Sequence, residues 1–205
     1  MQTLSNGDIT VAAADNANNG TYAIAGSFFP ADFKKSGRIL LTKLSKNKPM
    51  SNPFDVLWAK SYVNPNDLGM NFNVNDVLYT SQGGYVIAGQ AGTFESENDP
   101  NQGFLLRTDE NGSPLSFKFY PEFYTLTSVQ QHADGAGFVA VGETIDKSGG
   151  ILSVSYDLLP ICAAEVKGKL CKICLWSSNN DAFFIHFLTL QHDRLSNQGI
   201  QIILF

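Results

Sequence analysis

The chain has 205 residues, a net charge of −5, 43% apolar residues and only 16% charged ones, so it can bury a core and is too apolar to be disordered. An acidic balance without clustered Lys and Arg excludes phosphate-backbone binding, and no nucleic-acid partner is expected. No stretch approaches the roughly 20 apolar residues of a membrane helix, so no membrane span is expected either.

In chain order, Ile9 to Ala14 predicts a strand, followed by a turn over Asp15-Asn16-Ala17-Asn18-Asn19-Gly20. Thr21-Tyr22-Ala23-Ile24-Ala25-Gly26 is the first copy of an aromatic–apolar–Gly phrase. Gly37 to Leu44 and Leu57 to Tyr62 complete a set of four strands. Val74 to Thr80 opens a second set. It continues with Gly83-Gly84-Tyr85-Val86-Ile87-Ala88-Gly89, Gly103-Phe104-Leu105-Leu106-Arg107-Thr108 and Leu115-Ser116-Phe117-Lys118-Phe119-Tyr120. Between the last two, Asp109-Glu110-Asn111-Gly112 reads as a hairpin turn, because Asn and Gly adopt positive φ cheaply. A third set follows in Thr125 to Gln131, Gly137 to Gly142, Gly150 to Asp157 and Ile161 to Val166.

Tyr22, Tyr85 and Phe138 are equivalent and recur at about 63 and 53 residues, which is the spacing of four-stranded repeats. Tyr85 and Ile87 alternate with Val86 and Ala88, so both faces of this strand are expected to be buried between stacked sheets. The phrase is expected to form the same inner strand of each sheet, with Ala88 and Gly89 small because strands crowd there.

The wording Gly-Gly-Tyr-Val-Ile-Ala-Gly … Phe-Leu-Leu-Arg-Thr-Asp-Glu-Asn-Gly … Phe-Lys-Phe-Tyr resembles the β-propeller-type repeats of secreted and cell-surface proteins, frequent in Bacteroidetes. The resemblance covers roughly Ile9 to Val166. It implies an all-β chain of four-stranded antiparallel blades, about 8–63, 74–120 and 124–167, within a repeat region spanning 1–167. It also implies export and no shared catalytic residue set. The first copy departs from the pattern at Lys43-Leu44-Ser45-Lys46-Asn47 but keeps Trp58, and the third has no aromatic in its last strand. The start of the chain lacks a signal-peptide pattern, so either it is cytoplasmic or it belongs to a longer exported protein. The resemblance favours the latter.

Residues 168–205 read as a degenerate fourth blade or an atypical tail. Phe183, Phe187, Leu190 and Arg194 recur there at helical spacing, so a short helix competes with strands. Three blades do not close a ring. The chain is therefore a small four-bladed propeller or part of a larger one, and its open strand edges invite self-association.

Candidate functional residues are few. Glu95, Glu97 and Asp99 form an acidic loop between Gly92 and Gln102 that suits binding, or a carboxylate pair for glycoside chemistry. Cys171, Cys174, His186 and His192 approach the spacing of a two-Cys, two-His zinc site without its apolar landmarks. In an exported chain Cys162 pairs with Cys171 or Cys174, and spacing does not choose between them. Gly135-Ala136-Gly137 matches a loose dinucleotide fingerprint, but a strand rather than a helix is expected to follow it. His132 stands near Asp134 with no nucleophile assigned to it by motif. No cofactor is called for. The expected role is a non-catalytic scaffold or binding module that touches a glycan or protein partner through its loops. The alternative is a propeller-fold enzyme, a glycosidase or lyase, with loop carboxylates.

Overall fold

The computed structural model describes residues 7–17, 20–30, 37–46, 54–63, 70–93, 101–167, 170–172 and 187–189, and these are all-β. A first sheet runs in the order β1 (Gly7–Ala17), β2 (Thr21–Pro30), β3 (Arg38–Lys46), β4 (Phe54–Tyr62). A second runs β5 (Met70–Tyr79), β6 (Tyr85–Thr93), β7 (Gln102–Thr108), β8 (Pro114–Tyr120). The third begins with β9 (Phe123–Gln131), β10 (Gly137–Thr144), β11 (Gly149–Ser155) and β12 (Pro160–Lys167), and continues into β13 (Leu170–Lys172) and β14 (Phe187–Thr189). Every pairing is antiparallel between neighbours, as short Gly- and Asp-rich turns require.

The described part of the tail therefore extends the third sheet instead of starting a fourth. β12 would otherwise be an unpaired edge, and β13 satisfies part of its backbone. Phe187–Thr189, within the stretch where a helix competed, is a strand.

The sheets pack face to face. Tyr85, Ile87, Phe104 and Leu106 lie in one core with Ala23, Ala25, Ile39 and Leu41 of the first sheet. Val86, Ala88 and Leu105 lie in a second core with Phe138, Ala140, Leu152 and Val154 of the third. The alternation along β6 thus serves two seams, and both faces of the middle sheet are buried.

The aromatic–Gly phrase takes the same interior place in each sheet, as expected. It lies on β2, β6 and β10, the second strand of each sheet. The backbones of neighbouring sheets come closest at the edge strands: β5 packs on β1, β2 and β3, and β9 on β5, β6 and β7. The reason for the phrase's glycine is a bulge repeated in each edge strand. Register slips between Val11 and Ala13 opposite Gly26, between Val74 and Asp76 opposite Gly89, and between Ser128 and Leu126 opposite Gly142. The edge carbonyls of Thr10, Asn73 and Thr125 press against these three glycines, where a Cβ has no room. The crowding inferred from Ala-Gly is real, and its source is the bulged neighbour.

The expected turns are present. Gly112 has φ +74°, and the Asp109 Oδ1 accepts hydrogen bonds from Asn111 N (2.9 Å) and Ser113 N (2.6 Å). Gly135 has φ +73°, and the element that follows it is a strand, where a dinucleotide site would need a helix. Among the described residues no helix is long and apolar enough to cross a membrane.

Candidate functional site

Glu95, Glu97 and Asp99 lie outside the described residues, on the connection between Thr93 and Asn101. β6 ends at Thr93 and β7 begins at Gln102, at the opposite end of the sheet from the 109–113 turn. Cys174, His186 and His192 are also outside the described residues, and Cys171 is described only as backbone of β13, opposite Val166. Cys162 on β12 is disulfide-bonded, which leaves Cys171 or Cys174 as its partner.

Most of the polar chemistry that the structure describes lies in the two seams, and much of it is built twice from equivalent positions. Lys43 on β3 pairs with Glu110 in the following sheet's β7–β8 turn at 3.2 Å. Arg107 on β7 pairs with Asp157 in the β11–β12 turn at 2.9 Å, and its guanidinium lies 4.3 Å from the centre of the Tyr156 ring. Lys43 and Arg107 hold the same register, opposite Ala23 and Val86. Beside each ion pair a tyrosine closes the fourth strand. Tyr62 Oη donates to the Gly112 carbonyl (2.8 Å) and Tyr120 Oη to the Leu158 carbonyl (2.9 Å). Both acceptors belong to positive-φ residues, Gly112 and Leu158 (φ +62°).

Closer to the edge strands, the seams are tied by side chains that the sequence presents as ordinary polar residues. Val74 N donates to Ser27 Oγ (2.8 Å), and Tyr79 N to Asp15 Oδ2 (2.5 Å). Across the second seam the bulge residue Asn75 donates from Nδ2 to Thr125 Oγ1 (2.9 Å) and the Leu126 carbonyl (2.8 Å). Asp76 Oδ2 accepts from both Ser128 Oγ and Val129 N at 2.8 Å.

Burial is the largest cause raising the phenol pKa of Tyr62, Tyr85 and Tyr120. The nearby charges of Asp109 for Tyr62, of Glu110 and Asp15 for Tyr85, and of Glu122 for Tyr120 add to it. All three stay protonated and can only act as neutral donors or acceptors. Tyr85 Oη is buried without a hydrogen-bond partner among the described residues, between the rings of Trp58 (centroids 5.8 Å) and Tyr79 (5.3 Å).

The structure supplies His132 with a neighbour that no motif announced. Its Nε2 lies 3.2 Å from Ser153 Oγ, on a strand 21 residues away. No carboxylate touches the imidazole among the described residues: Asp134 Oδ1 instead accepts from Ala136 N in its own turn. A hydroxyl and an imidazole without an orienting acid form a polar contact rather than the assembled triad of a hydrolase.

The seam residues were missed at the sequence level because each pair joins positions 38 to 67 residues apart. One usable signal existed: Tyr62 and Tyr120 both end the fourth strand of their sets. No protein-family model matches the chain, and neither does any curated protein.

Proposed function

We propose that the chain is a non-catalytic binding or scaffold module of an exported or cell-surface protein, its sheets the blades of a propeller, meeting a glycan or protein partner through the loops between strands. The observation that carries this reading is the use made of the charged side chains in the seams. Lys43, Glu110, Asp76, Arg107 and Asp157, which a catalytic reading would recruit, are engaged in joining one sheet to the next. That leaves recognition to the connections, the acidic 94–100 stretch first among them. The resemblance to secreted propeller repeats supports the address. So does the disulfide at Cys162, since such bonds persist in oxidising compartments.

The test is a glycan array and a surface-protein capture with the chain as it stands, repeated with Glu95→Gln, Glu97→Gln and Asp99→Asn combined. The reading expects a bound glycan or protein that the triple variant loses while its melting temperature is unchanged. Cleavage of a glycan by the unaltered chain, abolished by the same substitutions, would replace it with the propeller-enzyme reading.

A further inference from the structure

The two seams repeat one another position by position, and the series continues on faces that no described residue covers. Ala25 of the first sheet and Ala88 of the middle sheet each point towards the sheet that follows, and both are fully buried. Their counterpart on the third sheet is Val141, opposite Ile151 as Ala25 is opposite Leu41 and Ala88 opposite Leu105. Val141 is 40% exposed. On the receiving side Val74 and Leu126 flank the bulges of their edge strands and are buried against the preceding sheet. Their counterpart Val11, opposite Gly26, is 69% exposed. The described sheets thus leave one donor face and one acceptor face of the same apolar seam.

The polar clasp changes on both halves of this unmade seam together. Where Lys43 and Arg107 stand, the third sheet has Ser153, opposite Val139. Where Tyr62 and Tyr120 stand, it has Val166, opposite Gly149. In the first set the sequence between β3 and β4 contains Lys48 and no acid. A cation at 153 would find no carboxylate in that sequence to pair with, and serine asks for none. This pairing of changes is what contact between a third sheet and a first sheet requires. Three blades are too few to bring the two ends of one chain together.

We infer that two copies of the chain join head to tail, the outer face of each third sheet covering the first sheet of the other, to close a ring of six blades about a two-fold axis. This rests on the propeller reading of the sheets. The first measurement is light scattering coupled to gel filtration on the 205-residue chain, with small-angle scattering for shape. A compact two-copy particle is expected. Val11→Arg and Val141→Arg each place a charge on an exposed position of the monomer, so each is expected to abolish the dimer without lowering the melting temperature. Mixing the two variants should recover a mixed dimer, because one of the two seams then remains intact. A monomeric chain, or a dimer lost in only one of the two variants, overturns head-to-tail closure. A dimer that is elongated in scattering overturns the propeller reading along with it.

Discussion

Replacing Gly89 with alanine tests the account of the fold at its most constrained point. The added methyl would sit 2.7 and 2.8 Å from Cε1 and Cζ of the fully buried Phe104 ring, and closer still to the Asn73 carbonyl of β5. Carbon atoms reach optimal contact near 3.5–4.0 Å, so the ring overlap alone approaches about 1 Å. Neither obstacle yields easily. Phe104 packs edge-on against Phe72 at 5.6 Å and against Phe117 at 5.7 Å. Asn73 precedes Val74, whose N–H is tied to Ser27 across the seam. Overpacking of this kind costs about 1–3 kcal/mol, and two rigid neighbours put the cost at the upper end. Alanine restricts the unfolded chain and recovers roughly 0.4–1 kcal/mol, leaving a net loss of about 2 kcal/mol. For a chain of this size that lowers Tm by about 4–8 °C. Urea unfolding followed by circular dichroism gives the free energy directly, and Gly26→Ala and Gly142→Ala, which meet only the backbone of their bulged neighbours, should also destabilise the chain. If all three fall within about 0.5 kcal/mol of the parent chain, the bulge is not what demands the glycine, and the explanation of the repeated phrase is refuted.

Asp76→Ala should cost about 2–3 kcal/mol in the same assay, since it leaves Val129 N and Ser128 Oγ without their acceptor in the second seam. Asp134→Ala, at an exposed turn, should cost less, and equal losses would remove Asp76 from its bridging role. The raised phenol pKa values of Tyr62, Tyr85 and Tyr120 give stability that is fully present below the unfolded value near 10 and is lost as pH rises above it. Three such groups steepen the loss to about 4 kcal/mol per pH unit. Tyrosinate absorbance should therefore rise together with the loss of circular dichroism, and ionisation of all the phenols in a still-folded chain would contradict their burial. In the denatured, unreduced protein, thiol labelling should modify one of the three cysteines, and peptide mapping should link Cys162 to Cys171 or Cys174. Three labelled thiols would mean that the bond does not form.

Much of the architecture was legible because it follows from local chemistry. The alternation of Tyr85 and Ile87 with Val86 and Ala88 announces a strand buried on both faces, and Asp109 to Gly112 announces its turn. Strand order within each sheet then follows from short connections. The equivalence of the three phrases was legible too, but the cause of their glycine was not, because it is a constraint imposed by the neighbouring strand. Gly26, Gly89 and Gly142 are small on account of bulges in β1, β5 and β9, and a bulge leaves no mark on the strand that contains it. The seams were illegible for a related reason. Lys43 and Arg107 are different residues matched to different acids, so no repeated letter marks them. Asn75 and Asp76 resemble solvent-facing residues until the third sheet is brought against them. The acidic loop and, apart from the Cys171 backbone, the Cys–His set lie outside the described residues, so the lesson of the sequence for function remains a proposal about loops.

The clasp has a direction, and its energetics show what it is for. Lys43 and Arg107 have side chains only 11% exposed, but their partners Glu110 and Asp157 are 61% and 76% exposed. Water screens such pairs, and each contributes about 0–1 kcal/mol. Cohesion must come instead from the apolar seams, where each buried side chain of the size of Phe72, Phe104 or Leu105 is worth about 1.5–3 kcal/mol. Apolar faces alone are tolerant of sliding and of stacking in reverse order. A cation on the third strand of one sheet, an acid in the turn of the next, and a tyrosine reaching that turn's positive-φ carbonyl are satisfied together only when the sheets follow in one sense and one register. With the order reversed, the acidic turn of the second sheet would face the third sheet's Ser153, and Arg107 would be matched with a connection whose sequence holds no acid. The polar set is therefore best understood as fixing which sheet follows which, while hydrophobic burial holds them together.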